Sequence, residues 1–122
     1  MKVLIPVDEK TIKGEVCQSF GRAPYFLIYD TETKEEMFID NNAALSRGGA
    51  GIKAAQLVVD SKVDVLITPR CGQNAADVIQ GAKINIFKTI NNSIKESIDG
   101  FMQNKLEILG DIHPGFHDYG GK

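Results

Sequence analysis

Tryptophan is absent from this 122-residue chain, histidine and cysteine occur twice each, and proline four times. Each scarcity removes a class of protein. The only histidines, His113 and His117, sit near the C-terminal end, and no G-x-S-x-G turn is present. A serine hydrolase or a cysteine–histidine nucleophile therefore has little to work with. Two cysteines far apart in sequence, Cys17 and Cys71, make neither a disulfide framework nor the four-thiolate set of an ordinary iron–sulfur protein. Long apolar runs are also missing. The opening Val3-Leu4-Ile5 is cut by Pro6 and Asp8, too short for a secretory core, and no stretch approaches the length of a membrane span. These readings predict a cytoplasmic protein with no membrane partner. Finally, 14 Lys and Arg stand against 16 Asp and Glu, for a net charge of −2. With no basic stripe to displace counterions from a phosphate backbone, no nucleic acid partner is expected.

What is present is an ordinary globular composition, 43% hydrophobic and 25% charged, at a length that suits one core. Val3-Leu4-Ile5-Pro6-Val7 reads as a strand buried on both faces. Residues 8–24 contain Gly14, Gly21 and Pro24 without a sustained period and read as a long exposed connection, a kind of loop that often carries function. Two β-prone runs, 25–30 and 36–40, flank the polar turn Thr31-Glu32-Thr33-Lys34 and predict a hairpin. A glycine-rich loop, Gly48-Gly49-Ala50-Gly51, then feeds a helix in which Ile52, Ala55, Val58 and Val59 recur at helical spacing. Residues 63–68 are the next strand, Pro69-Arg70-Cys71-Gly72 a turn, 73–80 a helix with Gly81 as its stop, and 84–88 the last strand. Ser93 and Glu96 have the capping-box spacing, ahead of a helix whose Ile94, Ile98, Phe101 and Met102 share one face. The predicted fold is α/β, a mixed five-stranded sheet built from a three-strand antiparallel meander followed by βαβ units, with helices on its faces. One domain is expected over 1–106, with a tail over 107–122 that is partly mobile and holds no further element.

Candidate chemistry gathers at one edge. If the topology holds, the loop after the first strand, the Gly48-Gly49 loop and the 69–72 turn share the rim at the carboxyl ends of the parallel strands, where α/β sheets take their ligands. Two of these loops run into helix starts, whose free N–H groups and partial positive charge favour an anion. Arg22, Arg47 and Arg70 fall one in each loop, and arginine suits multi-point contact with anionic groups. They serve that site or are solvated surface residues. The glycine loop lacks the P-loop lysine and does not match G-x-G-x-x-G, so neither ATP nor a dinucleotide is indicated. Cys71, beside Arg70 and before a helix start, is in a setting that lowers a thiol pKa, or else is packed as a small buried hydrophobe. Cys17 either faces the same cleft or packs beneath its loop. His113 and His117 are four residues apart, but Pro114 and Gly115 break the helix that would make them a rigid metal pair. They are supplementary ligands or part of a solvated tail.

Ser19-Phe20-Gly21-Arg22-Ala23-Pro24-Tyr25-Phe26, the loop Gly48-Gly49-Ala50-Gly51-Ile52 with Ala54-Ala55, the strand Val63-Asp64-Val65-Leu66-Ile67 and Gly72-Gln73-Asn74-Ala75 resemble, in order, the dinitrogenase iron–molybdenum cofactor biosynthesis family. That family includes NifX-like and NafY-like carriers and the C-terminal part of NifB, and the resemblance runs from Met1 to about Leu106. It implies a ribonuclease H-like fold. It also implies a non-catalytic protein that binds or carries the iron–molybdenum cofactor or a related iron–sulfur cluster, in nitrogen fixation or cofactor trafficking, together with cofactor-assembly or recipient proteins. Family members usually have histidine before Phe-Gly-Arg; this chain has Ser19 there, and Cys17 or Cys71 is the substitute metal ligand to consider. The expected site is therefore Arg22, Gly48, Gly49, Arg70 and Gly72 for the cofactor, with Cys17, Cys71, His113 and His117 for metal. The alternative is a binding or regulatory module for a small anionic metabolite, without metal. A nuclease is least supported, since Asp8 is the only carboxylate beside the first strand.

Overall fold

The computed structural model describes residues 1–110 and the backbone of Ile112 and His113. Its main sheet is set by the most apolar segment. β1 (Lys2–Val7) lies at the centre, with Val3, Leu4, Ile5 and Val7 fully buried, because both of its faces are covered. β2 (Tyr25–Asp30) runs antiparallel to it, in a register from Lys2 opposite Asp30 to Val7 opposite Tyr25. β3 (Glu36–Asp40) returns antiparallel to β2 and forms one edge. The turn between them is held by Asp30, whose Oδ1 accepts from the Glu32 and Thr33 amides at 2.8 and 3.3 Å. That side chain–backbone pairing is the reason aspartate suits turns, and it lowers the Asp30 pKa.

After a 3-10 turn (Asn42–Leu45) come α1 (Ala50–Asp60), β4 (Val65–Ile67), β5 (Cys71–Gly72), α2 (Gln73–Gly81), β6 (Asn85–Phe87), α3 (Ile94–Met102) and β7 (Ile112–His113). β4 lies parallel to β1 and β6 parallel to β4, giving the order β3-β2-β1-β4-β6. The meander followed by βαβ units is thus present as expected. Strand alternation sorts the core into two layers. Leu4, Phe26, Ile28, Leu66 and Ile86 pack with Ala54, Ala55 and Val58 of α1 and Ala75, Ala76 and Ile79 of α2. Val3, Ile5, Val7, Leu27, Val65 and Ile67 pack with Ile94 and Ile98 of α3.

Three differences from the sequence reading have clear causes. The 8–24 connection is not a loose exposed loop. Val16 bridges Val7, the Cys17 amide donates to the Pro6 carbonyl at 2.8 Å, and Phe20 stacks on Phe26 with ring centroids 5.6 Å apart. Val16, Cys17, Phe20 and Ala23 are all buried. β4 and β6 are shorter than the apolar runs that announced them, since buried flanking residues such as Val63 and Ile84 pack without joining the ladder. Beyond residue 106 the chain stays attached: Ile108 bridges Phe87, the Leu109 amide donates to the Ile86 carbonyl at 2.9 Å, and Leu109 is 2% exposed. β7 then pairs in parallel with β5, Cys71 opposite Ile112 and Gly72 opposite His113. A two-residue strand has no period to read, and so it was invisible in the sequence.

Candidate functional site

β1, β3 and β4 all point the same way, so the chain leaves each of them at the same edge of the sheet. The segments that follow enclose a cleft of about 660 Å³. Its walls are the 18–22 segment after β1, the 47–52 segment entering α1, and the 70–75 segment entering α2. Helix packing brings the second and third walls together through small residues: a Cβ placed on Gly51 would stand 3.8 Å from that of Ala75. The first wall lies flat against the second, for a Cβ on Gly21 would sit 3.0 Å from the Gly51 Cα and N. Only glycine allows backbone to meet backbone there.

Both helix starts are bare. Gly49, at φ +69°, caps α1, and Gly72 caps α2; neither helix has a side-chain cap or an acidic residue in its first turn. By contrast α3, on the other layer, is capped by Ser93, whose Oγ accepts from the Glu96 amide at 3.1 Å. Added Cβ atoms on Gly48 or Gly49 would meet nothing within 4 Å, so a guest can approach the backbone there closely. Arg22, Arg47 and Arg70 are exposed and line the same cleft, and among the described residues none that lines it is acidic. Donors at two helix starts and three guanidinium groups can hold a compact multiply charged anion. All five expected cofactor contacts, Arg22, Gly48, Gly49, Arg70 and Gly72, thus meet in one place.

Arg22 is also committed to its own chain. Its Nη1 donates to the carbonyls of Ala44 at 2.9 Å and Ser46 at 2.6 Å. Asn41, which the sequence reading passed over, is 3% exposed and works in the opposite direction. Its Nδ2 donates to the carbonyls of Gly21 at 3.2 Å and Ala23 at 2.8 Å, and its Oδ1 accepts from the Ala43 amide at 3.2 Å. An asparagine directly ahead of a helical turn was the available signal.

The cysteines differ from expectation. Cys71 is placed at the cleft wall but is 1% exposed, and burial pushes its thiol up to about 11. The lowered pKa read from its neighbours is overturned: desolvation of the buried thiol raises it. Cys17 is buried, does not line the cleft, and its Sγ donates to the Ser19 carbonyl at 3.5 Å. Burial, with the Asp8 carboxylate nearby, raises its pKa as well. His113 enters by its backbone, opposite Gly72; His117 lies outside the described residues. Among the described residues no group of three or more His, Cys, Asp or Glu could hold a metal ion, and no helix is long and apolar enough to cross a membrane.

This is a three-layer α/β domain with a cationic cleft at the carboxyl edge of its sheet. The family model described as dinitrogenase iron-molybdenum cofactor matches residues 1–104, and the chain belongs to that family. Its fold is similar to the apo form of the orange protein from Desulfovibrio gigas, with a TM-score of 0.84 at 25% identity over 90% of this chain and 93% of that one. A Thermotoga protein provisionally described as NifB matches with a TM-score of 0.79 and 31% identity over 94% of this chain and 98% of that one. In sequence it is 30% identical to an uncharacterized protein of Methanocaldococcus jannaschii, over 88% of this chain and 90% of that protein.

Proposed function

We propose that the chain is a non-catalytic binding or carrier protein for an anionic metal–sulfur cargo, the iron–molybdenum cofactor or a related iron–sulfur cluster, held in the cleft between the starts of α1 and α2. The observation that carries the reading is the charge balance of that cleft: two uncapped helix starts and three arginines, with no lining carboxylate among the described residues. Family membership supplies the chemical class. Sulfide and carboxylate groups on the cargo would accept from the amides at Gly48, Gly49 and Gly72 and from Arg70. Cys17 and Cys71 hold their protons behind the surface, so thiolate ligation by either is the weaker form of the proposal. The cargo would then arrive with its metal coordination already filled and pass on to an assembly or recipient protein without breaking a protein–metal bond.

Anaerobic titration with extracted iron–molybdenum cofactor tests this. Visible absorbance should co-elute with the protein in gel filtration, Arg70→Gln should weaken the complex about tenfold, and Cys71→Ala should keep it. Failure of the colour to travel with the wild-type protein would sink the reading. A second reading, capture of a small anionic metabolite without metal, draws on the lack of a metal-donor cluster among the described residues. Stabilisation by phosphates or carboxylates in metal-free buffer, with no response to the extracted cofactor, would favour it.

A further inference from the structure

The part of the cleft with least support is the segment between the 3-10 turn and α1. Leu45 is 87% exposed, Arg47, Gly48 and Gly49 are exposed, and side-chain atoms added at either glycine would touch nothing. Packing holds the first turn of α1, where Ala50 is buried and Gly51 meets Gly21, but does not fix where Arg47, Gly48 and Gly49 stand. Hydrogen bonds from the neighbouring wall do. Nη1 of Arg22 carries two N–H groups, and the carbonyls of Ala44 and Ser46 take both. Asn41, at the base of the same segment, sends its amide back to the carbonyls of Gly21 and Ala23, on either side of Arg22. Each wall lends one side chain to the backbone of the other, and one of the two is charged, which strengthens its bonds to carbonyl oxygen.

We infer that Arg22 and Asn41 form a reciprocal brace that sets the position of residues 44–49, and that Arg22 is a positioning residue for anion capture, acting through that segment. The inference rests on the proposed use of the cleft for its functional meaning, but the brace itself can be measured without any guest. Hydrogen–deuterium exchange on the guest-free protein is the first arm. Arg22→Gln and Asn41→Ala should each speed exchange of the hydrogen-bonded amides within 42–49, those of Ala44 and Ser46, about tenfold, with the α3 amides unchanged. Arg70→Gln, which removes a charge from the same cleft without touching the brace, should leave 42–49 at the wild-type rate. Because Asn41 is buried, Asn41→Asp serves as the second variant: it keeps the acceptor to the Ala43 amide and loses the donors to the first wall.

Anaerobic titration with extracted iron–molybdenum cofactor is the second arm. Asn41→Ala removes no charge yet should weaken binding about as much as Arg22→Gln, on the order of tenfold. The double variant should be no worse than the more severe single one, as expected of two parts of one device. Wild-type exchange in 42–49 of Arg22→Gln would overturn the inference. So would loss of binding in Arg22→Gln alone with full binding in Asn41→Ala, which would make Arg22 a direct contact. If the wild-type protein takes up no cofactor, the proposed function fails while the exchange arm still decides the brace.

Discussion

A cysteine that looks activated in sequence and is sealed in the fold has a measurable signature in alkali. The Cys71 thiol is raised from 9.0 to about 11, so the folded state keeps its proton where the unfolded chain has lost it. Stability supplied by the buried neutral thiol is complete below pH 9 and falls as pH rises towards 11. Two pH units correspond to about 3 kcal/mol at most. Denaturant titrations of the wild type and Cys71→Ala at pH 8 and 11 should show the wild type losing more of its stability over that interval. Native protein at pH 8 should also resist iodoacetamide at this position. The placement of the arginines and glycines around the cleft was legible in the sequence because it follows from local facts, a loop and a helix start, whereas Gly81, read as the stop of α2, lies within the helix. The burial of Cys71 was not legible, because it depends on a core and a paired strand contributed by residues distant in sequence. Among the glycines the structure makes a finer distinction. Gly21→Ala puts a methyl against the Gly51 backbone and should destabilise the protein measurably more than Gly48→Ala, whose methyl meets open space; thermal denaturation of the two variants checks the order.

At the scale of the element, α3 is conventionally begun and the two cleft helices are not. Ser93→Ala removes the bond to the Glu96 amide and should cost about 1 kcal/mol, read from a shift in denaturation midpoint. Gly72→Asp does the reverse at α2. The backbone there is extended, at φ −73° and ψ 156°, a conformation that an aspartate cap adopts. Its carboxylate would occupy the free amides and repel an anion, so extracted cofactor should bind at least about tenfold more weakly. The hairpin, the three helices and the central strand could all be read from periodicity, turn chemistry and capping. What could not be read was the ordering of residues 8–24, whose anchors, the Pro6 and Asn92 carbonyls and the Phe26 ring, lie outside the segment itself.

For the molecule as a whole, the stretch after residue 106 matters more than a tail would. Leu109 sits in the α1–α2 layer of the core, so Leu109→Ala should cost about 2–4 kcal/mol. We propose that the domain extends at least to this residue; a chain ended at Leu106 that melted like the full protein would count against it. The mixed sheet, a meander followed by βαβ units, could be read from the sequence because connection rules leave few alternatives. The extra pairing of β7 with β5 could not, since nothing in Ile112-His113 distinguishes it from loop.

The bare starts of α1 and α2 have one more outcome. An anion seated on them would do for two helices what Ser93 does for the third, completing secondary structure that the chain alone leaves unfinished. Occupancy should therefore register in calorimetry as a later and sharper unfolding endotherm, whether or not the occupant is coloured.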